Sequence, residues 1–181
     1  MNHAALFGQA IEFRRRFHLP NYVSLAEIGF DGPWVSPIQM ISGNLTGPML
    51  ITKDWFDAPS AVKNRKVLLE KGYLPGIPFN AVLDKALSLI GLSRHDIYIT
   101  PVFKLLPPKR SHSIRSADTR ASFEAVTQHE LLGRKPIAAG QDAIRTLEHF
   151  GIPHIPTAHP SARGLDYETR ATLIAKAFEK S

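Results

Sequence analysis

Two stretches carry residue types suited to chemistry. The first is Thr157-Ala-His-Pro-Ser-Ala-Arg-Gly164. An extended run with two spaced prolines, Gly151-Ile-Pro-His-Ile-Pro156, precedes it, and a helical pattern follows. A His–Pro pair at such a strand-to-helix junction puts the His159 imidazole at the lip of a sheet. There it is partly shielded and can donate a hydrogen bond to a ligand; in open α/β sheets, sites collect beyond the carboxyl ends of the strands. The same spacing also suits a turn with an exposed His. The second stretch is Met49-Leu-Ile-Thr-Lys-Asp-Trp-Phe-Asp-Ala-Pro59, where a short apolar run ends at the charged pair Lys53-Asp54.

The elements that must position these groups follow from periodicity and punctuation. Residues 4–17 suit an amphipathic helix ended by Leu19-Pro20. Residues 18–48, rich in Pro and Gly, read as a long irregular approach in which Trp34 is a packing anchor. Residues 48–52 form a buried strand, and 60–78 read as an irregular connection. Residues 79–91 give the clearest helix, with Asn80 as its N-cap and Gly91 as its stop. Strands are expected at 96–100, 135–139 and 152–158. Helices are expected at 121–132, from Gly140-Gln-Asp142 through Phe150, and after a cap at Asp166. Strands alternating with helices imply a parallel sheet covered on both faces.

Composition narrows the options. The chain has 181 residues, 44% hydrophobic, which suits one domain with a real core. The expected division is an N-terminal helix and irregular approach over 1–47, then a core over 48–181. Absence of cysteine excludes disulfides, zinc thiolate sites and cysteine-ligated iron–sulfur clusters. No apolar run approaches membrane-spanning length, and the N-terminus does not read as a signal peptide. A cytoplasmic monomer is the expectation. The net charge is +6. Residues 101–120 hold Lys104, Lys109, Arg110, Arg115 and Arg120 against Asp118 alone. Such a basic concentration fits a phosphate backbone, or a solvated loop that aids solubility.

Four segments in order resemble motifs of the uracil-DNA glycosylase superfamily, over roughly residues 46–181. Gly76-Ile-Pro-Phe-Asn-Ala-Val-Leu-Asp84 is similar to the segment carrying its base-stacking Phe. Asp96-Ile-Tyr-Ile-Thr100 with Phe103-Lys-Leu-Leu-Pro-Pro108 and Arg110 is similar to its third motif, most of all in the thermophilic iron–sulfur branch. Lys135-Pro-Ile-Ala-Ala-Gly-Gln-Asp-Ala143 resembles the next strand–turn–helix, and His159-Pro-Ser-Ala-Arg163 the closing active-site loop.

The resemblance implies a three-layer α/β/α sandwich around a mostly parallel four-stranded sheet. It also implies a DNA glycosylase that flips a base out of the stack, with DNA as partner and neither metal nor cofactor. Asp54 falls at the family's catalytic aspartate, with Asp57 the second candidate; helix capping is the structural alternative for both. His159 is placed to stabilise the departing base. Phe79 offers a face for stacking, and Phe56 falls near an aromatic that crowds the base C5 position. Pro107, Pro108 and Ser161 fall close to DNA phosphates. Arg163 would fill the gap in the duplex or pair with phosphate, and Lys109, Arg110 and Arg115 would add sequence-independent attraction. His112 resembles only loosely a loop histidine that traps DNA covalently.

Two departures stand out. The branch nearest in the third motif carries four cluster cysteines, and this chain has none. Uracil readers commonly have an Asn after the strand that corresponds to 96–100; here the residue is Pro101, without a side-chain amide or N–H. Lys53 or Asn80 would have to supply the contact, or the substrate is another base, such as a modified pyrimidine of phage DNA. An ordinary uracil enzyme and an inactive nucleic-acid-binding homologue are the alternatives.

Overall fold

A computed structural model describes residues 2–181. Four parallel strands, β1 (Met49–Thr52), β2 (Tyr98–Pro101), β3 (Ile137–Ala139) and β4 (Ile155–Thr157), form one sheet in the order β2-β1-β3-β4. β1 and β2 pair from Met49 opposite Tyr98 to Thr52 opposite Pro101. Every residue of β1, β2 and β3 is buried. Strands of a parallel sheet covered on both faces read as unbroken apolar runs for this reason.

Alternation sorts the side chains into two cores. Leu50, Ile99, Ile137, Ala139 and Ile155 face α4 (Pro78–Leu89) and α7 (Tyr167–Phe178). Met49, Ile51, Tyr98 and Ala138 face Phe123 of α5 (Ser116–Ala125) and Ala143 and Leu147 of α6 (Gln141–His149), with Phe7 of α1 (His3–Arg16) beside them. The result is the expected three-layer α/β/α sandwich, with its sheet parallel throughout.

Both sheet edges are covered or blunted. Residues 42–44 of the approach lie along β2, where Gly43 bridges Tyr98 in antiparallel fashion. There the Ile99 N–H donates to Ser42 O and the Asn44 N–H to Ile97 O. Pro156 lies within β4 and Pro153 just before it.

Local structure departs from the sequence expectation in three places. Residues 60–78 are not irregular: α2 (Ala58–Lys63) and α3 (Arg65–Lys71) fill much of them. The helix expected at 121–132 is α5 at 116–125 followed by a 3₁₀ turn, Thr127–Glu130. Asn80 is not an N-cap. Ile77 holds that position and Pro78 opens α4, where its missing N–H costs nothing. Asn80 turns inward instead, donating to Leu74 O at 2.8 Å and accepting from Arg94 at 2.7 Å.

A buried polar network joins the approach to β2. Glu130 Oε1 accepts from Tyr98 Oη at 2.5 Å, Thr100 Oγ1 at 2.7 Å and Gln39 Nε2 at 3.1 Å. Its Oε2 lies 2.5 Å from Lys104 Nζ, both side chains being wholly inaccessible. Lys104 also donates to Pro101 O at 2.6 Å. Burial pulls the Lys104 ammonium below its ordinary value, and Glu130 partly offsets this. Lys104 therefore leaves the basic surface to which the sequence assigns it.

Removing one member of a buried pair strands the other charge. Lys104→Met should destabilise the fold by about 3–5 kcal/mol in denaturant unfolding. Lys104→Met/Glu130→Gln should lose less, because no unpaired charge remains. A loss under about 1 kcal/mol for Lys104→Met would show that the pair is not a constraint.

Candidate active site

A cleft of about 460 Å³ opens beyond the carboxyl ends of β1 and β2. This is within the usual range of small-molecule pockets. Its walls include Asp54, Phe56, Phe79, Asn80, Pro101, Lys109, Arg110, His159 and Ser161. β1 delivers Asp54, the α4 N-terminus delivers Phe79, β2 ends in Pro101, and the loop after β4 brings in His159. Phe79 and His159 have ring centroids 5.3 Å apart, at an interplanar angle of 54°.

The two carboxylates after β1 separate by role. Asp57 is buried and caps α2, accepting from the Ser60 N–H at 3.0 Å. No other residue among those described hydrogen-bonds the Asp54 side chain. Burial pushes its carboxyl above the ordinary value, the neighbouring Lys53 lowers it, and Asp142 and Asp57 raise it further. Asp54 is thus the carboxylate not committed to structure.

His159 is held in one orientation. The Ser161 N–H donates to its Nδ1 at 3.1 Å. An Nδ1 that accepts carries no proton, so in the neutral ring the proton sits on Nε2. Burial, helped by the Lys53 charge, lowers the imidazole pKa to about 4. At neutral pH the ring is uncharged and offers an Nε2–H. Gly140, at φ 90°, lies close behind it: a Cβ there would stand 3.0 Å from His159 Cβ. A side chain at residue 140 would press on the imidazole as well as strain the backbone.

Several residues expected in the base pocket or against DNA lie outside the cleft wall. Lys53 is not in the cleft wall; its ammonium lies 3.9 Å from Asp142. Pro107 is buried, and its carbonyl accepts from the Ala58 N–H at 2.9 Å, fixing the start of α2. Pro108 and Arg163 are exposed outside the wall. Arg115 is tied to Asp118 by two hydrogen bonds of 3.0 Å. His112 packs edge-on against Tyr22, with centroids 5.5 Å apart.

The cleft also uses residues that sequence reasoning missed. Ser60, Lys63 and Asn64 come from α2 and its C-terminus, and Trp55, Tyr73 and Ile38 add apolar surface. The Trp55 indole donates to Gly72 O at 3.0 Å, and Arg94 stacks over Tyr73 at 4.2 Å. An aromatic and a basic residue within 60–78 were the available signal, hidden by the irregular reading of that segment.

A family model for the uracil DNA glycosylase superfamily matches residues 58–180. The chain belongs to that superfamily. The match takes in Phe79, Pro101 and His159 and begins after Asp54. A search of curated proteins finds no match. Membership points to a DNA glycosylase in general, acting on DNA. No helix among the described residues is long and apolar enough to cross a membrane.

The basic residues divide into those free at the cleft and those already paired. Lys109→Glu/Arg110→Glu should weaken DNA binding for all sequences. It should flatten the log–log salt dependence by about 2, roughly one unit for each phosphate no longer neutralised. Arg115→Ala should leave that slope unchanged. An equal flattening in Arg115→Ala would show that Arg115 leaves Asp118 for the DNA.

Proposed function

We propose that this superfamily member is a monofunctional DNA glycosylase that hydrolyses the N-glycosidic bond of a flipped-out base. The observation that carries the reading is His159, its Nδ1 accepting from the Ser161 N–H, in one cleft with the carboxylate of Asp54.

The chemistry needs this pair. As the sugar C1′–N bond breaks, its electron pair leaves with the base and positive charge grows on the sugar. Asp54 stabilises that cation and orients a water. The water oxygen bonds to C1′, and a water proton passes to the carboxylate. The His159 Nε2–H donates to the base oxygen on which the negative charge collects. A neutral donor suits this role, since it stabilises the anion without having to titrate near pH 7. Phe79, beside the imidazole, provides the stacking face. The departed base then takes up a proton, so that water is divided between sugar and base.

The base we propose is a modified pyrimidine, in repair or in defence against phage DNA. Pro101 stands where a uracil reader has its amide. The two candidate substitutes for it are engaged elsewhere: Lys53 pairs with Asp142, and the Asn80 amide bonds Leu74 O. Asn64, also in the wall, donates its amide to Ser60 O at 2.9 Å. A pocket built around a hydrogen bond discriminates strongly, because a mismatch leaves polar groups unpaired. One observation favours plain uracil instead: Phe56, packed edge-on against Trp55 at 5.0 Å, brings an aromatic ring to the pocket wall.

A base-release screen tests this reading directly. Oligonucleotides bearing uracil or modified pyrimidines, and modified phage DNA, are incubated with the protein, and abasic sites are cleaved with alkali. Release from a modified base with uracil left largely intact is expected. Efficient uracil release with modified bases untouched would make it an ordinary uracil enzyme, and binding without release an inactive homologue. Pro101→Asn should gain uracil release. Asp54→Asn should lower release by about 10³-fold while DNA binding stays within several-fold.

The pH profile separates the two catalytic groups. Asp54 acts ionised and its pKa is raised, so activity should fall with pH at values above those of an ordinary aspartate. His159 stays neutral down to about 4. His159→Gln should therefore slow release without moving the acid limb. A limb near pH 6.5 that vanishes in His159→Gln would show that a charged imidazole takes part.

A further inference from the structure

The Lys53–Asp142 pair lies outside the cleft wall yet beside its chemistry. Lys53 follows β1, and Asp142 sits in the first turn of α6, just after β3. β1 and β3 are neighbours, and the order of strand addition reverses between them. Ammonium and carboxylate thus meet across the crevice where α/β sheets seat their ligands, 3.9 Å apart. Asp54 is the next residue after Lys53. His159 rests against Gly140, two residues before Asp142.

Stability does not account for this pair. Its side chains are 37% and 51% exposed, and exposed ion pairs contribute little. An acid in the first turn suits the helix dipole, but that does not explain a lysine held opposite it. The lysine stem is flexible and its charge compact, so its position depends on the carboxylate that it faces.

We propose that Asp142 is a positioning residue: it holds the Lys53 ammonium across the β1–β3 crevice and keeps it from closing onto Asp54. This rests on the glycosylase reading above. With Asp142 in place, the positive charge stands beside the pair without neutralising the carboxylate needed by the sugar cation. Without it, the freed ammonium has Asp54 as its adjoining carboxylate.

Asp142 also raises the Asp54 carboxyl by its own charge, so positioning is the part of its effect that needs Lys53. Lys53 and Asp57 face it from its own segment, Asp142 from α6 and His159 from the loop after β4; Lys63, Lys109 and Arg110 line the same cleft. Lys53 and Asp142 act on Asp54 in opposite senses, and on His159 likewise.

The test is an NMR titration of the Asp54 side-chain carboxyl in the full chain, which needs no substrate. Asp142→Asn should move its midpoint to lower pH, Lys53→Met should move it to higher pH, and Asp142→Asn should move it less in the Lys53→Met background than alone. The displacements should shrink in molar salt, because the charges are exposed, and Asp142→Glu should keep the wild-type midpoint. On whichever oligonucleotide the screen shows to be cleaved, Asp142→Asn should lose about tenfold in release rate at neutral pH, less than removal of a direct donor costs. An Asp142→Asn shift as large in the Lys53→Met background as without it overturns the proposal. If that variant does not fold, an Asp54 midpoint in Lys53→Met that fails to rise overturns it equally. Expected titrations without release from any DNA would overturn the glycosylase reading and leave the positioning role intact.

Discussion

Glu130 ties distant parts of the chain together in a space closed to solvent. Gln39 reaches it from the approach, Tyr98 and Thr100 from β2, and Lys104 from the loop beyond. Gln39 also accepts from the Val35 and Ser36 N–H groups and donates to Ile99 O. A charged pair in such a place costs several kcal/mol per ion to desolvate and holds only while every partner is present. If the approach left the sheet, Glu130 would lose the Gln39 donor and the buried pair would lose part of its cover. The cleft inherits this rigidity, because Ile38, Ile99 and Pro101 are each in its wall and each bonded to the network or next to a member of it.

The parallel sheet does the rest of the positioning. Its strands run the same way, so all their carboxyl ends open on one side, and the loops there bring Asp54, Pro101, Gly140 and His159 together. The family match begins at residue 58, while Ile38, Thr52, Asp54, Trp55, Phe56 and Asp57 come from before it. The cleft is thus shared between the part of the chain that the family model matches and the segment before it.

What could be read in advance followed physical reach. Buried strands announce themselves as short apolar runs, and long helices as periodic ones; the sheet and α4, α6 and α7 were legible on that basis. α2 and α3 have six and seven residues, too short to be stable alone, so their helicity comes from packing that local sequence does not display. At the site, Asp54 and His159 could be proposed from the sequence because each follows the end of a strand by two residues. Lys104 was not legible, since a lysine amid basic neighbours looks solvated until its partner, 26 positions later in sequence at Glu130, is found. Arg115, by contrast, meets its acid only three residues away and stays 79% exposed. Asn80 is of the right type for a cap, but the proline at residue 78 starts the helix two positions earlier.

The guarded edges of the sheet bear on how the protein behaves in a crowd of its own copies. An open strand edge is a template on which another chain can add a strand, and the result is aggregation. Here β2 has residues 42–44 laid along it. β4 is three residues long with a proline at its centre, which removes a donor that any incoming strand would need. Edge-to-edge polymerisation is thereby disfavoured at both ends of the sheet, which favours colloidal stability in concentrated solution.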